Sequence, residues 1–284
     1  MTFLRQRAAF LAVLLLALAV FPSPVAASGS DTGGMTLLGT WTTHYIPSNL
    51  NGFGANITVP AQRLNGMRVQ AGGTVNFISA AGPFTSPPYK MGGALRNGQI
   101  RKDILGGGMC SSVTTLFNAA ARAGLKIVER HAHSLYINRY PVGLDSTVWG
   151  TPTRGQNLVF VNDTGHPIVI KGSFTRRTVT FEIWGTKDGR TTNFTAPRIT
   201  DKVDAKLYYE YTNTLAPGKK QSVNDNYDAF HASVTRTVRS AGGAVLHSDT
   251  FNSRYKLLNG LTLVGRYAGD PPAGTRILAS AYPH

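Results

Sequence analysis

The sequence predicts an α+β fold in which a cysteine-bearing helix packs on a sheet and a β-rich C-terminal half follows. Between Ser111 and Ala123, apolar side chains recur at helical spacing directly after the glycine run 106–108. Residues 126–129 then have the composition of a short strand. From Leu158 onward, segments of strand length are separated by turns rich in Gly, Asn and Asp. One clear helix among many short strands is typical of the α+β class.

The N-terminal segments predict the remaining elements around this helix. A strand is expected at 37–46, which is rich in Thr and Trp, and a short helix closed by a glycine is expected at 56–68. A further strand is predicted at 74–78, after a glycine pair. Residues 82–105 contain several Pro and Gly residues, so irregular structure that lines a cleft is expected there.

The elements after the central helix place two histidines near its start. Gly124 closes the helix, and the following strand leads to His131 and His133. Because side chains alternate along a strand, both imidazoles are expected on the same face. The C-terminal strands are expected to complete a sheet, and they are predicted at 157–161, 166–174, 178–184, 206–211, 232–238 and 244–251.

The first 27 residues predict a signal peptide. Arg5 and Arg7 precede an apolar segment at 8–20, and the small residues at 25–27 fit a cleavage site. The apolar segment is shorter than a membrane span, so no transmembrane anchor is expected after cleavage. We therefore predict an exported protein.

The rest of the chain predicts three regions and a strongly basic surface. Residues 28–36 are expected to be a flexible lead-in, 37–156 a catalytic domain, and 157–284 a β-rich region. The chain has 29 Lys and Arg residues against 14 Asp and Glu residues, a formal net charge of +15. Long-range attraction favours anionic cell-wall polymers as partners. Nucleic acid is not an expected partner, because no nucleic-acid-binding module is evident.

Cys110 is the only cysteine, and it stands where the predicted helix begins. A single cysteine cannot form an internal disulfide, so it is either a buried apolar residue or a thiol kept for chemistry. The helix N-terminus favours a thiolate there through its dipole and its unpaired N–H groups. Three consecutive glycines before it also suggest a backbone that a ligand approaches closely.

His131, His133 and Asp145 follow as a candidate base and its orienting group. The alternative is that the histidines are ordinary residues and that Asp145 belongs to a turn. A metal site made of Cys110 and both histidines is disfavoured because the usual zinc spacings are missing. No nucleotide-binding fingerprint is evident either, so no metal and no cofactor are expected. Cysteine on a helix, then histidine, then an acidic residue is the chain order of papain-like and transglutaminase-like enzymes.

The stretch from Gly106 to Val148 resembles the VanW-type domain of bacterial envelope proteins. That signature has a glycine triplet, an apolar residue, cysteine and a Thr-rich helix start. It continues with a strand, a His-Ser pair and a Gly-x-Asp-x-Thr-Val segment. Here these are Gly106-Gly107-Gly108-Met109-Cys110, Ala123-Gly124-Leu125-Lys126-Ile127-Val128-Glu129-Arg130, His133-Ser134 and Gly143-Leu144-Asp145-Ser146-Thr147-Val148. Further similarity extends over most of the chain, as far as Asp249-Thr250-Phe251-Asn252-Ser253-Arg254-Tyr255.

The resemblance implies a peptidoglycan L,D-transpeptidase that uses Cys110 as its nucleophile and stem peptides as substrates. Because the signature places histidine beside serine, His133 is expected to be the base, and Asp145 would orient it. Ser111 departs from the family, which usually has Gln directly after the cysteine.

The remaining candidate residues are assigned to substrate or to the tetrahedral oxyanion. We expect backbone N–H groups at Gly107, Gly108 and the helix start to bind the oxyanion. His131 would tune the site or contact substrate. Arg130 and Arg139 would bind stem-peptide carboxylates, or they are basic residues of a solvated strand. Two other functions stay open: a cysteine peptidase of the cell wall that uses the same residues, and a non-catalytic wall-binding protein.

Overall fold

A computed structural model describes residues 34–46, 53–96 and 99–282. The predicted signal peptide and residues 28–33 of the predicted lead-in lie outside the described residues. The helices are α1 (Phe53–Leu64), α2 (Phe77–Ala81) and α3 (Cys110–Arg122), and a 3-10 turn covers Ala279–Ala281. Among the described helices, none has the length and apolar character needed to cross a membrane.

The strands outnumber the helices, as the prediction of a β-rich chain requires. In the first part they are β1 (Thr36–His44), β2 (Met67–Val69), β3 (Thr74–Asn76), β4 (Met91–Arg96), β5 (Gln99–Leu105), β6 (Lys126–Glu129), β7 (Trp149–Thr151), β8 (Arg154–Gln156) and β9 (Val159–Val161). They continue with β10 (Ile168–Phe174), β11 (Thr178–Gly185), β12 (Thr191–Phe194), β13 (Arg198–Val203), β14 (Leu207–Thr212), β15 (Lys220–Asn224), β16 (Ala229–Arg239), β17 (Val245–Tyr255), β18 (Gly260–Gly265) and β19 (Arg276–Leu278).

Helix α3 packs against a four-stranded sheet with the order β1-β11-β10-β2. Strand β11 alternates between buried and half-buried side chains, so one face of this sheet covers the core. The helix approaches β1 closely at Gly39, where a Cβ atom would lie 2.4 Å from the backbone nitrogen of Ala123. The Cys110-bearing helix is therefore positioned by direct backbone contact with the sheet.

Helix α3 is buried on all sides from Ser111 to Ala121. On the side away from the first sheet, the Phe117 ring meets the Phe251 ring of β17 edge-on, with centroids 5.1 Å apart. A helix buried all round must pair its polar side chains with protein groups. For example, the Thr115 hydroxyl donates to the Thr43 hydroxyl of β1 at 2.7 Å.

The strand predicted at 74–78 is shorter than expected, because a helix begins inside it. The Asn76 side chain accepts a hydrogen bond from the Ser79 N–H at 3.0 Å, so Asn76 is the N-cap of α2. Strand β3 thus ends at Asn76 and pairs with β9, which also pairs with β6. By contrast, α1 ends at Leu64, before Gly66 at φ 82°, as the prediction of a glycine-closed helix requires.

The prediction of irregular structure at 82–105 is wrong for the second half of this range. Strands β4 and β5 form an antiparallel hairpin there, in which Met91 pairs with Leu105. Glycine in a strand usually lowers strand stability, but Gly92 allows a close approach of Gly107. The hairpin therefore supports the glycine run that precedes Cys110.

The C-terminal strands are distributed over four sheets rather than the single sheet predicted, because β9 joins β3 and β6, and β10 and β11 join β1 and β2. The strands from β12 onward form the other two sheets. In one sheet β16 pairs with β12 and β13 along one edge and with β17 along the other. The second sheet has the order β15-β18-β14-β19, with β14 and β18 parallel. The predicted boundary after residue 156 stays a prediction, although β10 and β11, which follow it, pair with β1 and β2, which precede it.

Candidate active site

Cys110 is the first residue of α3 and is partly exposed. Its Sγ atom lies 3.4 Å from the Thr147 hydroxyl, and the backbone N–H of Val148 also interacts with the sulfur. The segment that carries these groups is tied to α3, because the Thr114 hydroxyl donates to the Ser146 carbonyl at 2.8 Å and accepts from its N–H at 2.9 Å. The thiol thus faces the Thr147 hydroxyl and the Val148 N–H, and the segment that carries them is held in place by α3.

The glycine run shapes the backbone immediately before the thiol. Gly106 and Gly108 have φ values of 78° and 104°, a region that favours glycine. Gly107 is required for a different reason, because a Cβ atom there would lie 2.3 Å from the Gly92 carbonyl oxygen. The Asn56 side-chain amide also donates to the Gly107 carbonyl at 2.8 Å. Conformation and close packing therefore both explain the three glycines.

His133 is buried and is held by Asp145. Its Nδ1 lies 2.6 Å from Asp145 Oδ2, and its backbone N–H donates to the same oxygen at 2.7 Å. Its ring stacks on Tyr140, with centroids 5.3 Å apart and an interplanar angle of 24°. Nε2 is buried and has no hydrogen-bond partner in the described part of the chain. Since Nδ1 is occupied, Nε2 is the atom left to act on Cys110.

His131 does not share the position of His133, so the prediction that both lie on one strand face is wrong. Strand β6 ends at Glu129, before either histidine, and strand alternation does not extend to them. His131 is half-buried, and its Nε2 lies 2.9 Å from a Glu129 carboxylate oxygen. The backbone carbonyl of His131 accepts a hydrogen bond from the Thr147 N–H at 2.9 Å. Its contribution to the site is therefore through backbone, whereas its ring is paired elsewhere.

Asp145 is buried in a set of five donors. While Oδ2 accepts both bonds from His133, Oδ1 accepts from Arg130 Nη2 at 2.9 Å and from the Tyr255 hydroxyl at 2.7 Å. The Ser253 hydroxyl is 3.4 Å from the same Oδ1 atom. On the other side, the Asn118 amide of α3 donates to the Leu144 carbonyl at 2.7 Å. A carboxylate with this many donors is fixed in orientation and favoured in its ionised form.

The three side chains shift one another's protonation. Burial opposes the charged form of Cys110, but the interaction with His133 outweighs it and lowers the pKa of the thiol to about 7. Burial likewise opposes the imidazolium, but Asp145 and Cys110 raise the pKa of His133 to about 10. Against its own burial, the pKa of Asp145 is lowered to about 2 by His133 and Arg130. The opposite shifts of Cys110 and His133 therefore favour a thiolate–imidazolium pair over a neutral thiol and a neutral imidazole.

The structure gives the predicted substrate-binding residues different surroundings. Ser111 is fully buried, and its hydroxyl lies 3.0 Å from the Tyr140 hydroxyl, so it supports the ring stacked on His133. Arg130 is almost fully buried, and its donors are occupied by Asp145 and by neighbouring carbonyls. Arg139 is exposed, with its guanidinium 5.0 Å from the centroid of the Tyr140 ring.

Two of the predicted backbone donors also differ from each other. The Gly107 N–H already donates to the Ile104 carbonyl at 2.9 Å and is not available to an oxyanion. The N–H groups of Gly108 and Cys110 donate to no acceptor in the described residues. Within the same residues, no group of three or more His, Cys, Asp or Glu side chains is arranged to hold a metal ion.

Sequence reasoning missed several residues of the site. Thr147 could have been found, because it stands two residues after Asp145 in the motif segment. Tyr140 belongs to no recognised motif, and the sequence around Ser111 does not indicate that these two residues are in contact. Ser253 and Tyr255 stand in the segment 249–255 that carries the family resemblance, but they lie more than 100 residues along the chain from Asp145, so neither local spacing nor periodicity assigns them to the site.

Comparisons with known proteins find a family and a relative that are similar to part of the chain. A family model described as "VanW like protein" matches residues 54–184. Over 136 residues the chain is 34% identical to "Uncharacterized protein YoaR" of Bacillus subtilis (strain 168). That match covers 47% of this chain and 43% of the relative, so the chain spans less than half of the relative's length.

Two solved structures also match a small part of the chain. They have the titles "Crystal structure of HP0197-G5" and "IgA1 Protease G5 domain structure", with 18% and 10% sequence identity. Each covers 27% of this chain, and the matches span 97% and 90% of the respective solved chains. The TM-scores are 0.15 and 0.17, too low to support a structural argument.

Proposed function

We propose that the chain is a cell-envelope enzyme, a peptidoglycan L,D-transpeptidase that works through a cysteine acyl-enzyme, since residues 54–184 match the VanW-like family model. The observation that carries the proposal is the coupled arrangement of Cys110, His133 and Asp145. It combines a thiol whose pKa is about 7 with a buried imidazole held by an ionised carboxylate. A nucleophile, a base and an orienting group in this relation are the requirements of acyl transfer.

In the first step, His133 Nε2 takes the thiol proton and the Cys110 thiolate attacks a carbonyl carbon of the donor stem peptide. The carbonyl is that of the L,D-linked bond, and the tetrahedral intermediate collapses with loss of the terminal D-amino acid. The His133 imidazolium returns its proton to the leaving amine, which leaves a thioester on Cys110. Asp145 stabilises the imidazolium throughout because its Oδ2 stays bonded to Nδ1.

In the second step, the side-chain amine of a diamino acid on an acceptor stem attacks the thioester. His133 accepts a proton from this amine, and the thiolate leaves as the cross-link forms. The Thr147 hydroxyl and the Val148 N–H stabilise the released thiolate. If water replaced the amine, the same residues would perform hydrolysis, so the acceptor decides between transferase and peptidase.

The oxyanion of both tetrahedral intermediates is assigned to the N–H groups of Gly108 and Cys110. Both groups lie at the start of α3, where the helix dipole favours negative charge. Gly107, which donates to Ile104, instead keeps the run in place. This assignment gives the glycine run a chemical role that does not need the Gln usually found after the family's cysteine, since Ser111 faces Tyr140 here.

The setting of the reaction follows from the basic sequence and from the order of the site residues. The predicted signal peptide would deliver the protein to the envelope. Without Arg5 and Arg7 of the signal peptide the net charge falls from +15 to +13, and this charge attracts anionic cell-wall polymers. The order of Cys110 on a helix, His133 after β6, and then Asp145 corresponds to papain-like and transglutaminase-like enzymes. This correspondence is an analogy of fold and supports acyl transfer without specifying the acceptor.

The test is mass spectrometry of peptidoglycan fragments incubated with residues 28–284. Fragments with tetrapeptide and with pentapeptide stems are supplied separately, and Cys110→Ala is the matched control. New L,D cross-links that require Cys110 are the expected result. Loss of stem residues without cross-links would replace the transferase by a cysteine peptidase.

A non-catalytic wall-binding protein predicts a third result. Fragments would be unchanged, and both the parent protein and Cys110→Ala would sediment equally with purified cell wall. That outcome would refute the enzymatic proposal, because the thiol would then have no effect on any product.

A further inference from the structure

Strand β17 lies outside the residues matched by the family model, yet it contacts both segments of the candidate site. The Tyr255 hydroxyl donates to Asp145 Oδ1 at 2.7 Å and accepts from the Gly143 N–H at 3.2 Å. Just beyond the strand, the Lys256 N–H donates to the Ser134 carbonyl, next to His133, at 2.8 Å. The segments that carry the base and its orienting group are thus both bonded to the same strand end.

Aromatic packing fixes this strand end against the site. Tyr255 is 2% exposed, and its ring centroid lies 4.8 Å from that of Phe230 on β16 and 5.4 Å from that of Tyr136. Tyr136 belongs to the same segment as His133 and also packs on Phe230 at 5.4 Å. Because the ring is held on two sides, the Tyr255 hydroxyl has little freedom to leave Asp145.

We infer that Tyr255, assisted by Ser253, is a positioning residue that holds Asp145 in the orientation needed to stabilise the His133 imidazolium. The chemical meaning of this role rests on the proposed function, but the contacts do not. The site is then completed by a strand that the family match at 54–184 does not include. The inference excludes direct contact of Tyr255 with substrate, since the residue is buried.

The donors around Asp145 are divided between its two carboxylate oxygens. Since Oδ2 serves His133 alone, rotation of the carboxylate would break both of its bonds to that residue. Rotation is opposed by the donors on Oδ1, which are Arg130, Tyr255 and Ser253. The Arg130 guanidinium also donates to the Asp145 backbone carbonyl and to groups of three other residues, so the Asp145 carboxylate is only one of its acceptors.

The protonation of Tyr255 supports this role. Burial and the Asp145 charge raise its pKa above the ordinary range for tyrosine, so the hydroxyl remains a donor wherever the enzyme works. The charged or titratable groups that face Asp145 are Arg130, His133, Tyr136 and Tyr255. Among these, Tyr255 provides the shortest bond to Oδ1.

The test measures the pH dependence of Cys110 alkylation by iodoacetamide in the full chain. Tyr255→Phe removes the hydroxyl while keeping the ring, and Ser253→Ala is tested alone and in combination with it. The matched control is Tyr45→Phe, since Tyr45 is a buried tyrosine whose hydroxyl donates to the Thr175 carbonyl at 3.0 Å, far along the chain from the site. Asp145→Asn marks the largest shift that loss of the carboxylate charge can produce.

Tyr255→Phe is expected to raise the midpoint of the alkylation profile by about one pH unit, which lowers the rate at pH 6 about tenfold. The double variant should shift further toward Asp145→Asn, and Tyr45→Phe should match the parent. A Tyr255→Phe profile equal to that of Tyr45→Phe would overturn the inference, as would a shift to lower pH. If Tyr255→Phe does not fold, a parent-like profile for Ser253→Ala and for Arg130→Lys would overturn it equally.

The outcome is separable from that of the proposed function. The alkylation profile reports only the coupling of Cys110, His133 and Asp145, whereas cross-linking reports transfer to an acceptor. A shifted profile without cross-links would retain Tyr255 as a positioning residue and remove the transpeptidase. Cross-links with an unshifted profile would do the reverse.

Discussion

Replacement of His133 by glutamine should raise the pKa of Cys110 and suppress its reactivity at low pH. Glutamine has a comparable size but carries no charge, so it removes the two largest influences that lower the thiol pKa to about 7. Burial, which raises the thiol pKa, remains, and the pKa should return at least to the ordinary value of 9.0. This difference of about two units corresponds to roughly 2.7 kcal/mol of thiolate stabilisation.

The magnitude can be read directly from alkylation rates. At pH 6 a thiol of pKa about 7 is ionised to about one part in ten, whereas a thiol of pKa 9.0 is ionised to about one part in a thousand. The rate constant with iodoacetamide should therefore fall about 100-fold at pH 6. Near pH 10 both thiols are ionised, so the two rate constants should agree within about threefold.

Intact-protein mass spectrometry provides the assay without ambiguity, because the chain contains a single cysteine. His131→Gln is the matched control, since His131 pairs with Glu129 and is half-buried. Its profile should follow the parent protein. The reasoning would be refuted by a parent-like profile for His133→Gln, or by a larger shift for His131→Gln than for His133→Gln.

Three further predictions concern folding. A Cβ atom at Gly107 would lie 2.3 Å from the Gly92 carbonyl oxygen, so Gly107→Ala should lower the free energy of unfolding by about 1–3 kcal/mol in urea titrations. The control is Gly93→Ala, because a Cβ atom at Gly93 has its nearest contact at 3.9 Å. This control should change the free energy of unfolding by less than about 0.5 kcal/mol. Arg236→Met removes a buried guanidinium that pairs with Asp249 and donates to two carbonyls near the end of α3. This substitution should lower the free energy of unfolding by about 3–5 kcal/mol, whereas Arg239→Met, at an exposed position, should lower it by less than about 1 kcal/mol. Equal losses for the two variants would contradict a stabilising role of the buried pair. Because the pKa of Asp145 is lowered from 3.8 to about 2, its stabilisation is present above the ordinary value and is lost as pH falls through about 2. The melting temperature of Asp145→Asn should accordingly fall less steeply than that of the parent between pH 4 and pH 2, and parallel curves would disprove the ionised state assigned to Asp145.

What the sequence could predict about the site was local. Cys110, the glycine run and the start of α3 are adjacent in the chain, and helical periodicity and capping act over a few residues. The order of Cys110, His133 and Asp145 was also readable, and the structure brings these three residues into one arrangement. The strands β1, β6, β10 and β11 were predictable for the same reason, since each has its own alternating or apolar pattern.

Local patterns were misleading where a single side chain or a close contact decided the structure. Asn76 accepts a capping bond and turns the end of a predicted strand into α2. The Gly-rich segment before Cys110 forms a hairpin, because its glycines allow close packing rather than a loop. The two histidines were placed together by strand alternation, but β6 ends before both of them.

Only the tertiary structure shows which groups donate hydrogen bonds to the Asp145 carboxylate. Arg130 reads in the sequence as a basic residue available to substrate, yet packing turns it inward to Asp145. Tyr255 lies 110 residues from Asp145, and no periodicity or motif spacing connects two positions so far apart. Their contact exists because β17 packs over α3 and the segment that follows β6, and hydrogen bonds in such a buried region are set by which strands meet. The sequence by itself thus identified the candidate nucleophile and the order of its candidate partners, whereas tertiary packing determined the orientation and charge of those partners.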